Sequence, residues 1–200
     1  DECLTLLHEG YDSTAAGMTW CWYLLAQHPE IHQRAAAEAK QLLQGKQATY
    51  ADYDRLVFIR QVIQETLRLY PPAWMLMLRE ATEHTELMGC RVPKGSWIYL
   101  IPWVTHRSER WFADPLRFDP ERFSEGRIGE FPRNAYYPFG KGGHYCIGER
   151  LAMTEMTLAV ATVLRHFEFY LPEGHKPVEI EPHTAIRPRG GLRLGVRRID

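Results

Sequence analysis

A glycine-rich segment with one cysteine, residues 139–148, constrains this 200-residue chain more than any other feature. It reads Phe-Gly-Lys-Gly-Gly-His-Tyr-Cys-Ile-Gly and leads from irregular chain into a helix predicted from about Gly148 to Arg165. Its four glycines permit positive φ and a close approach of the backbone to a neighbour. Cys146 therefore lies just before a helix N-terminus, where unpaired N–H groups favour a thiolate.

A single thiolate without a neighbouring Cys or His does not make a structural zinc site, which takes four protein ligands. It suits a metal that already carries four ligands of its own, and haem iron is that case. The alternative is a glycine-rich loop around a buried cysteine, but the spacing over the whole segment favours a metal ligand. The other cysteines, at positions 3, 21 and 90, are interpreted as small buried hydrophobic residues.

The segment resembles the haem loop of the cytochrome P-450 family, F-x-x-G-x-(R or H)-x-C-x-G, and matches every fixed position, including Gly140. The resemblance implies a haem b cofactor with Cys146 as the axial ligand of the iron. It also implies that Phe139 shields the sulfur side of the ring and that His144 reaches a haem propionate. By the same resemblance, Arg79 contacts the second propionate.

A long first helix is predicted from apolar residues at spacings of three and four, and it ends near His28 because Pro29 follows. Leu6 and Leu24 add a second apolar face, so we expect this helix to be buried on most sides. Gly10, Ser13 and Gly17 share one face and predict a shallow groove on which a flat ring lies.

Polar side chains interrupt this helix at Asp12, Ser13 and Thr14. They either deliver protons to a bound ligand or, in the case of the hydroxyls, bond back to the preceding turn. The segment 9–14 resembles the P-450 oxygen-binding motif (A or G)-G-x-(D or E)-T-(T or S), which implies that these three residues take part in oxygen activation. Two residues depart from it: Ser13 replaces Thr, and Glu9 replaces a small residue. Fatty-acid ω-hydroxylating members carry that Glu, and we hypothesise that it forms an ester with a haem methyl.

Glu65 and Arg68 lie one turn apart on the third predicted helix and by themselves indicate a surface ion pair. The segment 119–123, Asp-Pro-Glu-Arg-Phe, resembles the second arginine motif of the family, and His106-Arg107 followed by Trp111 resembles the segment before it. The resemblance implies a buried cluster of Glu65, Arg68 and Arg122 behind the haem loop.

The remaining elements are predicted from periodicity and from proline. They are a second helix from Pro29 to about Leu43, a third from about Tyr53 to Pro71, strands within 74–101 around a turn at 93–95, irregular chain over 102–145, and short strands around Phe169, Ile180 and Leu192. We expect a mainly α fold with a small β component, in one haem-binding domain over residues 1–200. The resemblance covers only the C-terminal part of the family fold, so an N-terminal portion is expected to be missing.

The resemblance implies a monooxygenase that inserts one atom of dioxygen into an organic substrate. Electrons are expected from a separate redox protein, a ferredoxin or a flavin reductase, because the chain has no flavin or NAD motif. Apolar residues at 73–76 and 184–186 indicate a lipophilic substrate. Two alternatives remain: a haem-thiolate isomerase, dehydratase or peroxygenase, and a non-catalytic haem-binding protein or inert fragment.

Charge and hydropathy limit the kinds of binding partner and the location that we expect for this chain. With 24 Lys and Arg against 25 Asp and Glu, the chain lacks the positive charge that nucleic-acid binding needs. No apolar run reaches the length of a membrane span. A cytoplasmic location is expected, since His144 in place of arginine is common among bacterial members of the family.

Overall fold

The computed structural model describes residues 2–199, with the side chains of residues 5, 6 and 8 outside the description. The fold is mainly α with small sheets, which confirms the predicted class. The helices are α1 (Glu2–Gln27), α2 (Pro29–Leu43), α3 (Val57–Leu69), the single turn α4 (Pro102–Thr105) and α5 (Glu149–Leu164). Short 3₁₀ turns lie at Tyr50–Arg55, Pro120–Phe123, Arg133–Ala135 and Gly142–His144.

Four antiparallel strand pairs accompany the helices. They are β1 (Arg79–Glu80) with β4 (Trp97–Ile98), β2 (Thr85–Leu87) with β3 (Cys90–Val92), β5 (Phe167–Tyr170) with β8 (Gly195–Arg198), and β6 (Ile180–Glu181) with β7 (Arg187–Pro188). The predicted turn at 93–95 does separate two extended pieces, β3 and β4, but β4 pairs with β1 instead of β3. Leu192 belongs to neither β7 nor β8, so the strand predicted around it was wrong.

The third helix begins later than predicted. Residues 50–55 form a 3₁₀ turn because Thr49 and Asp52 form a capping box, in which the Thr49 amide donates to the Asp52 carboxylate at 3.0 Å. Leu56 then leaves helical geometry, with φ −81° and ψ 62°, and α3 starts at Val57. Apolar periodicity did not reveal this break, because Tyr53 and Leu56 keep the helical spacing across it.

The core lies between α1, α2, α3 and α5, whose buried faces form one apolar cluster. Helices α1 and α5 approach closely at Gly17, where an added Cβ would lie 3.3 Å from Sδ of Met156 and 3.4 Å from Cδ2 of Leu67. The space beside Gly17 is therefore occupied by neighbouring side chains, whereas the space beside Gly10 is open. The predicted groove through Gly10, Ser13 and Gly17 does not extend to Gly17.

The N-terminal half of α1 is exposed, contrary to the prediction that the helix is buried on most sides. Leu7 is 69% exposed and Tyr11 75%, whereas Leu25 is fully buried; Leu6 is outside the described side chains. The physical reason is where the helix is packed: among the described residues, the side chains of α1 are buried only from Ala16 onward, and there Leu67 of α3 and Met156 of α5 lie against Gly17.

Glu38 of α2 caps the N-terminus of α3 from outside the helix. Its two carboxylate oxygens accept the amides of Phe58 and Ile59 at 2.8 and 2.9 Å. These amides lie in the first turn of α3, where the N–H groups have no partner within the helix. The negative charge of the carboxylate also interacts favourably with the positive end of the helix dipole. Glu38 thus fixes the start of the helix that carries Glu65 and Arg68.

We expect Glu38→Gln to lower the free energy of unfolding by about 1–2 kcal/mol, because the amide retains one acceptor and loses the charge. Urea unfolding measures the change. The matched control is Glu155→Gln, an exposed glutamate on α5, which should stay within about 0.5 kcal/mol of the parent. Equal stability of the two variants would show that the cap contributes nothing.

Candidate functional site

The loop before α5 is closed by its own backbone hydrogen bonds. The Cys146 amide donates to the Phe139 carbonyl at 2.9 Å, and the Tyr145 amide donates to Gly142 at 3.1 Å. Gly140 has φ +78°, a conformation that L side chains rarely adopt. A Cβ on Gly140 would also lie 3.3 Å from the His144 carbonyl oxygen. Glycine at position 140 therefore permits the turn that brings the two ends of the loop together.

The Cys146 thiol is exposed, so the alternative of a buried cysteine is wrong for this position. That alternative holds for Cys21, where burial raises the pKa of the thiol to about 12. It is wrong for Cys3 and Cys90, which are exposed because one lies on the exposed half of α1 and the other on the exposed β2–β3 hairpin. Among the four cysteines, Cys146 alone combines exposure with a loop of constrained geometry.

The surroundings of the thiol fit a flat apolar group. Gly148 lies against the sulfur, with an added Cβ 3.8 Å from Sγ. On the following residues, the side chains of Ile147 and Leu151 are 91% and 71% exposed. Phe139 is half-buried and packs against the main core, and His144 is exposed. Exposed apolar side chains one and five positions after an accessible thiol favour a hydrophobic ligand over a hydrated ion.

The donor set supports the same conclusion. Within residues 2–199, no group of three or more His, Cys, Asp or Glu side chains is placed to hold a metal ion. A lone thiol cannot complete the coordination of zinc. It can complete that of an iron already held by a porphyrin. The residues present therefore fit haem.

Within the predicted proton-delivery segment of α1, Ser13 and Asp12 have different kinds of partner. Ser13 Oγ donates to the Glu9 carbonyl at 2.8 Å, which is the bond to the preceding turn that the sequence left open. Asp12 instead forms an ion pair with Arg187 of β7. The Asp12 side chain is only 18% exposed, so most of it is removed from water.

Arg187 was not identified from the sequence. Its only signal was its position immediately after the apolar segment 184–186, which was assigned to substrate contact. The pairing with Asp12 spans 175 positions, and no local pattern predicts such a contact. Arg187 thus connects the C-terminal β7 strand to the polar segment of α1.

Arg79 lies at the start of β1 and is half-buried. Its guanidinium donates to the carbonyl oxygens of Met77 and Leu78 at 3.0 and 3.3 Å. These local bonds hold the guanidinium against the chain segment that precedes β1.

Glu65, Arg68 and Arg122 are buried together, as predicted, with exposed fractions of 0%, 0% and 4%. Arg68 binds Glu65 through two parallel hydrogen bonds of 2.6 and 2.8 Å. Arg122 Nε lies 3.4 Å from the same carboxylate, and the Asp119 amide donates to it at 2.9 Å. The alternative of a surface ion pair is therefore wrong. Burial raises the pKa of the Glu65 carboxyl, and the bonds from Arg68 oppose that shift.

Arg68 also joins distant parts of the chain. Its guanidinium donates to the carbonyl oxygens of His106 at 2.5 Å, Pro115 at 2.7 Å and Arg117 at 3.2 Å. These bonds tie α3 to the irregular segment that precedes the cysteine loop. The cluster therefore organises residues 106–122 around one buried charge pair.

His106 lies beside this cluster and is fully buried. Burial lowers the pKa of its imidazole to about 3, and the positive charges of Arg68 and Arg107 act in the same direction. The hydrogen bond to the Arg68 carbonyl opposes them. The ring is therefore neutral at physiological pH.

We expect the stability of the protein to fall as the pH drops below about 6.5, the ordinary pKa of histidine. Between pH 6.5 and 3 the unfolded chain binds a proton at His106 that the folded chain does not, so the stabilisation present above 6.5 is lost on acidification. Each unit of this window is worth up to about 1.4 kcal/mol. Urea unfolding at a series of pH values should show a shallower slope for His106→Gln than for the parent. Identical slopes would contradict the buried neutral imidazole.

A mainly helical fold with an accessible cysteine loop joined to a buried Glu–Arg–Arg cluster fits a protein of the haem-binding class. Comparison with known families gives the same result: the family model "Cytochrome P450" matches residues 1–194. The chain belongs to the cytochrome P-450 family, and its cofactor is haem. None of the helices in residues 2–199 is long and apolar enough to span a bilayer.

Individual relatives agree. The chain is 40% identical over 194 residues to "Cyclooctatin synthase" from Streptomyces melanosporofaciens, covering 97% of this chain and 40% of that protein. It is 44% identical over 163 residues to "Cyclooctat-9-en-7-ol 5-monooxygenase" of the same organism, covering 82% and 35%. The crystal structure of a cytochrome P-450 (CYP102L1) superposes with a TM-score of 0.90 at 28% identity, over 98% of this chain and 44% of that one. The chain thus spans about two fifths of the length of these relatives.

Proposed function

We propose that this chain is the haem-binding part, residues 1–200, of a monooxygenase in which the Cys146 thiolate is the axial ligand of the iron. The observation that carries the proposal is the exposed thiol of Cys146, held by a closed loop at the start of α5. Family membership supports it, because residues 139–148 match the haem loop of that family at every fixed position. When bound, a thiolate-ligated haem supplies the chemistry of O–O cleavage.

Besides Cys146, three residues of the loop and Arg79 of β1 would hold the haem. Phe139, packed on the core beside the loop, would cover the sulfur side of the ring. Gly140 provides the turn that lets the backbone approach the ring without a Cβ in the way. His144, which is exposed, and Arg79, which is half-buried, would each donate a hydrogen bond to one propionate carboxylate.

On α1, Asp12, Ser13 and Thr14 would manage protons. Asp12 is held and oriented by its ion pair with Arg187; when the pair opens, Oδ1 would take up a proton from solvent and pass it on through water to a neighbouring hydroxyl. Ser13 Oγ carries the hydroxyl that the family motif places next to the acid; its proton is donated to the Glu9 carbonyl, which leaves the oxygen free to accept a hydrogen bond. Thr14 supplies a second hydroxyl one position further along. The ester between Glu9 and the haem stays a hypothesis, and denaturing extraction that releases all the haem would contradict it.

The substrate is proposed to be a lipophilic small molecule. The segments 73–76 and 184–186 are the candidate substrate contacts. Ala185 and Ile186 are almost fully buried, and Ile186 packs in the core with Trp20 and Tyr23, so the more accessible residues 73–76 are the stronger candidates. Two relatives are named for oxygenation, the cyclooctat-9-en-7-ol 5-monooxygenase and "Pentalenene oxygenase" from Streptomyces avermitilis, which is 35% identical over 94% of this chain. Dioxygen is the second substrate. A separate redox protein, a ferredoxin or flavin reductase, would donate the electrons.

We expect Asp12→Asn to reduce the rate of product formation by about 100-fold or more, since an amide cannot relay the proton, while the haem spectrum stays unchanged. Steady-state product formation at saturating substrate measures the effect. The matched control is Thr19→Val on the same helix, whose hydroxyl only bonds back to the Ala15 carbonyl at 2.8 Å. General acid–base catalysis typically contributes about 100-fold or more to a rate. If Asp12→Asn forms product at a rate within about twofold of Thr19→Val, Asp12 is not the relay.

The proposed function is tested by two measurements on the haem-loaded protein. The ferrous–CO absorption spectrum should have the band of thiolate ligation, and added reductase should give substrate-dependent NAD(P)H consumption with oxygenated product. A thiolate band with conversion of substrate and no consumption of reductant would favour the isomerase, dehydratase or peroxygenase alternative. Failure to bind haem stoichiometrically would favour an inert fragment.

A further inference from the structure

His106 connects the buried charge cluster to the chain that enters the cysteine loop. Its Nδ1 lies 3.2 Å from the Arg68 carbonyl oxygen, and its Nε2 lies 3.0 Å from the Tyr137 amide nitrogen. A neutral imidazole has one donor and one acceptor nitrogen. Both contacts are hydrogen bonds in a single tautomer, in which Nδ1–H donates to the carbonyl and Nε2 accepts the Tyr137 amide proton.

The ring has little freedom to move from this position. It stacks on Tyr136 with centroids 5.5 Å apart, and the rings of Tyr137 and Phe112 contact it edge-on at 5.2 and 6.3 Å. The backbone carbonyl of His106 also accepts a hydrogen bond from Arg68 at 2.5 Å. His106 is therefore fixed to α3 by both its ring and its backbone.

Tyr137 is two residues before the loop and is bonded into it. Its carbonyl accepts the Gly140 amide at 3.1 Å, and the Phe139 carbonyl accepts the Cys146 amide at 2.9 Å. The peptide held by His106 is thus continuous with the peptides that close the loop around the sulfur. A displacement of Tyr137 would be transmitted to Cys146 through two backbone hydrogen bonds.

We infer that His106 is a positioning residue for the Cys146 thiolate: its Nε2 holds the Tyr137 amide and thereby sets the orientation of the loop relative to α3. This inference rests on the proposed function of Cys146 as the iron ligand. The acceptor nitrogen matters, and the bulk of the ring does not. The sequence indicated only that residues 106–111 resemble the segment that precedes the second arginine motif of the family, and it assigned no role to the imidazole.

The test compares two substitutions at this position. His106→Phe keeps an aromatic ring of similar bulk and removes the acceptor, whereas His106→Gln replaces Nε2 with an amide oxygen that still accepts. In the haem-loaded protein, His106→Phe should lose about 10- to 100-fold in haem affinity and show a reduced thiolate band in the ferrous–CO spectrum. His106→Gln should restore most of both. Equal spectra and affinities for His106→Phe and the parent would overturn the inference.

A second measurement does not depend on haem. Hydrogen exchange of the Tyr137 amide in the haem-free protein should be faster by about tenfold in His106→Phe and close to the parent rate in His106→Gln, because only the latter keeps the bond. If His106→Phe does not fold, His106→Gln decides the matter: a folded protein with a fast Tyr137 amide and an unchanged thiolate band, or with a slow amide and no thiolate band, overturns the inference. If the parent itself lacks the thiolate band, the proposed function fails, and the exchange rates still report on the bond.

Tyr137→Phe is the matched control. It removes the hydroxyl that lies 2.6 Å from the Thr105 hydroxyl and leaves the backbone amide in place. We expect lower stability without a change in the thiolate band. A spectral change as large as that of His106→Phe would show that any loosening of this region displaces the sulfur, and the specific role of Nε2 would be overturned.

Discussion

Replacing Cys146 with serine is expected to abolish the thiolate band of the ferrous–CO spectrum. Product formation should fall by more than about 100-fold, since even residues that only support a metal ligand contribute 10- to 100-fold to affinity or activity. The physical reason is that a serine hydroxyl does not ionise at neutral pH and cannot supply the electron density that a thiolate gives to the iron. The loop itself should survive, because the backbone bond between Cys146 and Phe139 does not involve the side chain.

The control for this substitution is Cys90→Ser, which changes another exposed free thiol far along the chain, on β3. It should leave the spectrum and the rate unchanged. Retention of the thiolate band in Cys146→Ser would require another ligand, and the central proposal would then be wrong. Loss of the band in both variants would point to a general effect of thiol removal.

Arg68→Ala is expected to give little or no folded, haem-loaded protein. Removing one partner of a buried ion pair costs about 3–5 kcal/mol, a large part of the stability of a typical domain. In this chain, the substitution leaves the buried Glu65 carboxylate with the Asp119 amide at 2.9 Å and, as its remaining cationic partner, the more distant Arg122 at 3.4 Å. It also removes the donors for the carbonyl oxygens of His106, Pro115 and Arg117, which are 38 to 49 positions away.

Two further substitutions separate charge from geometry. Arg68→Lys keeps the charge but cannot form two parallel bonds to Glu65, so we expect it to fail nearly as completely as the alanine variant. Arg60→Ala, on the same helix, removes an arginine whose ionic partner, Asp54, has a side chain that is 90% exposed, and it should yield folded protein with haem. The yield of soluble protein and the ratio of haem to protein measure both. Normal haem loading in Arg68→Ala would contradict the structural role of the cluster.

Helix ends that depend on proline or on a loop glycine could be predicted from the sequence. Pro29 begins α2, and α5 starts one residue after Gly148. The start of α3 could not be predicted in this way, because it depends on the capping box at Thr49 and on the carboxylate of Glu38 from another helix. The same limit applies to the sheets: the turn at 93–95 was visible, but the partner of β4 was decided by packing.

The candidate site divides in the same manner. The motif around Cys146 and the buried charge cluster were predicted, because their residue types and spacings are unusual enough to identify a family. The roles of Arg187 and His106 were not predicted. Each is an ordinary residue type in its local sequence, and its importance follows from a contact with a residue 175 or 31 positions away.

By itself, the sequence determined the thiol loop, the order of the elements and the identity of the buried charges. The loop and the order of the elements follow from backbone limits on glycine and proline and from side-chain periodicity, all of which act within a few residues, whereas the buried charges were identified through the resemblance to the family. Only the tertiary structure decided which carbonyls receive the Arg68 guanidinium, which strand holds Asp12 and how much of α1 is covered. Those outcomes depend on burial and on hydrogen bonds between distant segments, and their energies exist only when the whole chain has folded.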